Sequence, residues 1–570
     1  MDILLLMLIP FAGYVLMYRF YGRFLSKKIF NLSEENIAPS VTMEDGIDYV
    51  PTKKEVIFGH HYTSIAGTGP IVGPAIAVIW GWVPAIIWIF VGSVVMGAVH
   101  DLGSLVISMR NEGKSISEYT AKYLNNRTKL LFFAIVFLEL WIVIAIFGLV
   151  IAIIFKIYPS SVFPVWAQIP IAMTLGFLVY KKGKNITLYS ILALIAMYAT
   201  VIAGYYFKFE MPSIFGIPPT GVWTIILLIY AFIASVLPVT ILLQPRDYIN
   251  AYQLIVAMTL LILGVFGAVF TKDMTIVAPA FDFAPKDAPP LLPFLFITIA
   301  CGAISGFHSL VSSGTTSKQV ISEKDALFVG YGSMLMEGVL AILVLIAVAG
   351  GIGLGFHGLH GAEAWQHHYE SWNAAKGLGS KIGAFVMGSS NMITTLGIPQ
   401  FIAMTIMGVF VASFASTTLD SATRIQRYIV TELFVGLKMN IFKNRFVATA
   451  FAVISAALLA FITGADGKGA LSMWPLFGAV NQTLSALALI IITLYLKDKG
   501  GKKWLVTGLP AVFMTIVTVW AAINNEIDFI NGKKYFLTII NSIIIVIILW
   551  IAVEGMIKFR ELGKLSLEKS

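Results

Sequence analysis

Six ionisable side chains lie in or beside stretches apolar enough to cross a bilayer: His60, His61, Asp101, Glu139, His308 and Glu337. Charge is costly in hydrocarbon, so intramembrane acids and histidines mark ion or proton paths. Histidine titrates near neutral pH, and a buried carboxylate can hold a proton there, so such a set could pass protons. Counting about 1.5 Å per residue from the helix ends puts Glu139 and Glu337 near the midplane. Asp101 and His308 fall nearer the cytoplasmic side, level with His60 and His61. The competing role for all six is a static network that holds helices together.

The two histidines open the run Gly-His-His-Tyr-Thr-Ser-Ile-Ala-Gly-Thr-Gly-Pro-Ile-Val-Gly-Pro, residues 59–74. Gly67, Gly69, Pro70, Gly73 and Pro74 are the wrong composition for a continuous helix, because Pro lacks an N–H and Gly loosens the turn. In lipid, backbone freed this way survives only where it is buried in protein or lines a wet cavity. A broken spanning helix points to a substrate or ion site in a secondary transporter. Unwinding over Ala66–Gly73 would turn N–H groups toward a carboxylate, and freed carbonyls toward a cation. Ala66, Gly67, Thr68, Gly69 and Gly73 are therefore candidate substrate contacts, with Thr63, Ser64 and Thr68 adding hydroxyls. A packing kink with close glycine contacts is the plainer alternative.

These residues need spanning helices to position them, and composition supplies the setting. The chain is 58% hydrophobic and 12% charged, with a mean hydropathy of +0.87, so it reads as an all-α polytopic membrane protein. Fifteen candidate spans lie near 3–20, 62–80, 83–107, 129–155, 163–180, 186–207, 222–243, 248–270, 291–313, 326–352, 398–418, 446–463, 471–496, 504–522 and 536–557. Loops on one side then carry 30 of the 39 Lys and Arg, which makes that side cytoplasmic. The N-terminus is expected outside, retained as a first helix, and the C-terminus inside. Segment 382–397 is apolar but short, and reads as re-entrant or interfacial. The net charge of +9 is explained by these loops, not by a nucleic-acid face.

Hydropathy divides the core into two repeats of five, spans 62–207 and 222–418, the second starting from the opposite side. Its first helix carries Pro238 and Pro245 in Ala-Ser-Val-Leu-Pro-Val-Thr-Ile-Leu-Leu-Gln-Pro-Arg-Asp. This pattern predicts a five-plus-five inverted repeat with a broken first helix in each half. The expected organisation is 1–58 for an N-terminal helix and cytoplasmic loop, 59–418 for the transport core, and 419–570 for C-terminal helices.

Four motifs occur in order: residues 59–74; Cys-Gly-Ala-Ile-Ser-Gly-Phe-His-Ser-Leu-Val-Ser-Ser-Gly-Thr-Thr-Ser-Lys-Gln (301–319); Phe-Ala-Ser-Thr-Thr-Leu-Asp-Ser-Ala-Thr-Arg (414–424); and Trp-Pro-Leu-Phe-Gly-Ala-Val-Asn-Gln (474–482). Together they resemble the carbon starvation protein family, CstA, from about residue 50 to past residue 490. The resemblance implies a LeuT-like core of the amino acid–polyamine–organocation superfamily. It also implies a prokaryotic inner-membrane carrier for peptides or small carboxylates such as pyruvate, coupled to H+ or Na+. By that resemblance Glu139 borders the central cavity. Ser312 and Ser313, on the helix taken as the eighth of the core, are candidate sodium ligands. Their plainer role is close helix packing.

The loop 355–370 holds His357, His360, His367 and His368, which could bind zinc or copper, but a solvated extracellular loop is the simpler account. Asp420, Arg424 and Arg427 share helical spacing and read as a cytoplasmic salt-bridge face. No cofactor is expected, and no enzyme: a membrane-embedded metal site would need ligands converging at one depth. A nutrient sensor would want a soluble signalling domain, and no cytoplasmic stretch is long enough for one.

Overall fold

The computed structural model describes residues 2–568. Among these, no strand forms, and isolated bridges alone join extended segments. Twelve helices are long and apolar enough to cross a membrane, or thirteen if the bent pair Lys54–Ile65 (α2) and Gly69–Trp80 (α3) is one span. The others are α1 (Asp2–Ile29), α4 (Trp82–Met109), α5 (Asn126–Ile157), α6 (Pro159–Lys181), α7 (Ile186–Tyr206), α8 (Pro219–Val236) and α9 (Leu243–Lys272). After two short helices, α10 (Leu291–Thr298) and α11 (Gly306–Gly314), come α12 (Glu323–Leu354) and α13 (Leu378–Thr394). The chain finishes with α14 (Gln400–Gly436), α15 (Arg445–Phe461), α16 (Lys468–Asp498), α17 (Leu505–Asn531) and α18 (Tyr535–Glu568). The expected spans at 291–313 and 446–463 thus correspond to α10 with α11 and to the shorter α15.

Helix α5 shows how the sequence sets a long span. Asn125 caps it, its side chain accepting from the N–H groups of Arg127 and Thr128, and Thr128 completes a capping box. The helix runs for 32 residues, about 48 Å at 1.5 Å each, and most of them are apolar. α5 and α14 pack along each other and form the centre of the molecule.

One expectation needs correction. The helix expected over 222–243 is not broken within a span: α8 ends at Val236, a turn spans 237–242, and α9 begins at Leu243. Pro238 supplies no N–H to continue α8. Pro245 sits in the first turn of α9, where an N–H has no intrahelical partner to lose. These prolines end one helix and open the next. The interruption lies further on, at 299–305 between α10 and α11. Segment 382–397 falls mostly in α13, a 17-residue helix packed on α3, α9, α12 and α14 and not among the helices long and apolar enough to cross a membrane.

Four loops and the last part of α14 gather at one end. Loop 31–53 pairs Asp48 with Arg424 and Arg427, hydrogen-bonds Ile47 O to Val239 N, and bonds Val50 N to Lys318 O. Arg110 binds Glu323, and Ser115 binds Glu432. These contacts place the basic loops together, as the span parity requires.

Candidate functional site

The two interruptions meet. α2 and α3 are bent 45° at Ala66–Thr68, a shorter unwinding than expected, because Gly69 to Ala77 is already helical. Pro70 is tolerated in the first turn of α3. The glycines serve close approach. A Cβ on Gly73 would lie 2.6 Å from Thr298 O, and one on Gly69 would collide with Cys301. A Cβ on Gly67 would collide with Thr418 Oγ1 and lie 3.1 Å from Phe147. Gly69 therefore faces the second break rather than open space.

Each break frees backbone groups, and side chains from two later helices satisfy several of them. At the first, Thr418 Oγ1 donates to Ser64 O (3.1 Å), and Ser64 and Ser421 share a hydroxyl contact at 2.8 Å. At the second, Asn481 Oδ1 accepts from Phe307 N (2.9 Å) and Ser305 Oγ (3.1 Å), while Gln482 Nε2 donates to Phe296 O (3.0 Å). Trp88 Nε1 donates to Ile299 O (3.0 Å). All four sequence motifs converge here: two supply the breaks, and 414–424 and 474–482 supply the side chains that brace them.

Asp101 and His308, expected at one depth with His60 and His61, instead form a buried chain with Glu337, which was expected beside Glu139. Asp101 Oδ1 accepts from His100 Nδ1 (2.8 Å) and its Oδ2 from His308 Nδ1 (3.1 Å), while His308 Nε2 lies 3.3 Å from Glu337 Oε2. That last contact is at ion-pairing distance without hydrogen-bond alignment. Because a carboxylate only accepts, both imidazoles carry their hydrogen on Nδ1. A bare His308 Nε2 facing a bare Glu337 carboxylate is repulsive, so a proton on either side relieves this contact. All three residues have no exposure.

The other predicted groups separate. His61 binds Thr316 Oγ1 (2.8 Å), whereas His60 turns to Asp247 (2.6 Å). Asp247 in turn binds Arg246 (3.0 Å), and Arg246 reaches Asp420 and Tyr230. Asp420 thus belongs to this network and not to a face with Arg424 and Arg427, which pair with Asp48. Asp247, Arg246 and Tyr230 were not singled out from sequence; the adjacent Arg-Asp at the foot of an apolar helix was the signal available. Glu139 stands apart on α5, fully buried, and neither carboxylate oxygen has a partner. Even so, Glu139, Glu337 and Asp101 all act electrostatically on Cys301 at the second break.

Ser313 Oγ donates to Ser309 O (2.7 Å) and accepts from Ile116 N (3.1 Å), so it braces a turn, and buried Ser312 Oγ has no partner. The hydroxyls that meet the first break are on α14, at Thr418 and Ser421. The loop histidines do not converge: His360 Nδ1 donates to Leu354 O, and buried His368, pushed down to about 4 by burial, faces Ser380. Among the described residues no three His, Cys, Asp or Glu are placed to hold a metal.

The carbon starvation protein CstA family matches residues 2–353 and 361–521. The peptide transporter CstA of Campylobacter jejuni is 34% identical over an alignment covering 91% of this chain and 80% of that protein. The peptide transporter CstA of Bacillus subtilis is 32% identical, covering 93% and 92%. The pyruvate/proton symporter BtsT of Escherichia coli is 31% identical, covering 89% and 79%. A solved structure of a manganese transporter mutant from Eremococcus coleocola aligns over 91% of this chain and 99% of its own, at 14% identity and a TM-score of 0.44. With the match running through both breaks and the helices that brace them, this chain belongs to the carbon starvation protein CstA family.

Proposed function

We propose that the chain is a proton-coupled carrier that takes small carboxylate-bearing nutrients, peptides or pyruvate, into a prokaryotic cell across its inner membrane. The observation that carries this is the buried Asp101–His308–Glu337 chain beginning one turn beyond the second break. Such a chain can gain or lose a proton as water reaches it from one side and then the other, which is what coupling requires. The amino end of α3 at the first break supplies N–H groups and a positive helix end for a carboxylate, supporting Ala66, Gly67 and Thr68 as its contacts. Glu139 is the remaining buried acid near that point. The relatives named for peptide and for pyruvate/proton transport are consistent with both substrate classes. The gathered basic loops support a cytoplasmic placement for that end, with the N-terminus outside and the C-terminus inside.

An inverted repeat is compatible with this reading in altered form. The first half would start at α2 and α3, and the second at α10 and α11, with α14 as the partner of α5. Sodium coupling has one observation in its favour, the Thr418 and Ser421 hydroxyls beside Ser64 O. The purified protein in proteoliposomes should accumulate pyruvate, or di- and tripeptides, under an inward proton gradient with sodium absent. Accumulation driven by sodium alone, with no pH gradient, would reject the proton mechanism.

A further inference from the structure

Lys381 is the one residue of α13 that carries a charge, and it is 5% exposed. Its Nζ lies 5.1 Å from the ring centroid of Trp474, at the start of α16. Among the described residues no carboxylate pairs with it. Burial pushes its ammonium down to about 8, and no acid offsets that. A buried ammonium without a counter-ion is expensive, and an aromatic face compensates for it only in part.

The position gives this cost a use. Gly379, two residues before Lys381, packs on Ile153 and Ile157 at the far end of α5, away from the basic loops. α13 also packs on α3, the half-helix that leaves the first break in that direction. Trp474 is only partly buried, and the ammonium lies over its ring. Deeper in the core lie the buried acids Asp101, Glu139 and Glu337, which offer an entering anion no positive charge. A cation at the mouth is what an anionic substrate needs before it reaches them.

We propose that Lys381 captures the substrate carboxylate at the outer mouth, with Trp474 as the cover that the carboxylate displaces. The ammonium exchanges a ring face for a charge-assisted hydrogen bond, the stronger partner. This rests on the carboxylate-carrier reading above.

The test is entry of labelled pyruvate and of L-alanyl-L-alanine into right-side-out vesicles bearing wild type, K381M, K381Q or K381R. The two neutral variants should raise the KM for entry at least tenfold with kcat within about twofold of wild type, and K381R should stay within threefold in both. An unchanged KM in either neutral variant overturns the proposal, as does a loss in K381R equal to that in K381M. Failure of both neutral variants to reach the membrane would mark Lys381 as a folding residue and overturn it too. If wild type carries neither probe, the functional reading falls and takes this inference with it; if wild type carries one and KM ignores the charge, Lys381 alone falls.

Discussion

Glu337 differs from Asp101 in what surrounds it. Asp101 is held by two imidazoles, while Glu337 meets only His308 Nε2 at 3.3 Å. A proton on Glu337 is tied down by no hydrogen bond, so Glu337 is where loading and release should show. Glu337→Gln keeps the volume and removes the titration. It should lower steady-state accumulation under a proton gradient at least tenfold, while substrate exchange across the membrane at equal pH persists. Equal accumulation would make the residue structural. Glu139→Gln should likewise slow or uncouple net uptake and leave binding largely intact, because its carboxylate bonds no other group.

The breaks make predictions about helices. Asn481 caps α11 from a separate helix, accepting from Phe307 N and Ser305 Oγ. Asn481→Ala leaves both donors buried and unpaired, a loss of about 1–3 kcal/mol that should appear as a lower thermal midpoint in detergent. A Cβ at Gly69 collides with Cys301, so Gly69→Leu must push the two breaks apart. Loss of uptake is the expected outcome, but through displaced backbone and not through a filled cavity. Lower thermal stability with normal membrane insertion would identify that cause, and wild-type stability would refute it. Both positions were visible in the motifs, yet their partners lie more than 170 residues away in the chain, and spacing does not reveal them.

Across the whole molecule, loop 31–53 acts as a latch over the basic end. Asp48 binds Arg424 and Arg427, and Arg424 also donates to Leu237 O and Ala234 O at the end of α8. Burial pushes the Asp48 carboxyl up, but Arg424, Arg427 and Lys318 outweigh that and hold it well below the usual carboxylate range. A depressed value contributes stability above the unfolded pKa of about 3.9 and loses it as pH falls through the folded one. The latch should therefore be equally firm at pH 7 and pH 5, and the stability gap between wild type and Asp48→Asn should be the same at both. Asp48→Asn also removes one side of a largely buried pair, a cost of about 3 kcal/mol. It should favour opening at this end, so Cys301, the chain's single cysteine, should react faster with an impermeant thiol reagent from that side. Unchanged labelling would mean that the latch does not gate the core.

The sequence by itself determined the class, the basic side, the first break and the placing of Asp101 near His308; that Glu337 joins them came from the fold. Composition, helical spacing and Gly/Pro chemistry are local properties, and local properties survive without a fold. The tertiary structure decided where the second break lies, because Ile299 leaves helix geometry where the chain packs against Gly73, and Gly302 and Gly306 by themselves do not announce it. It likewise sent His60 to Asp247 and His61 to Thr316, adjacent residues pointing about 100° apart on α2. It moved Asp420 from a surface face into a buried network and left Lys381 without a counter-ion. Each of these depends on which distant helix arrives as a neighbour, and a charge or hydroxyl takes its role from that neighbour.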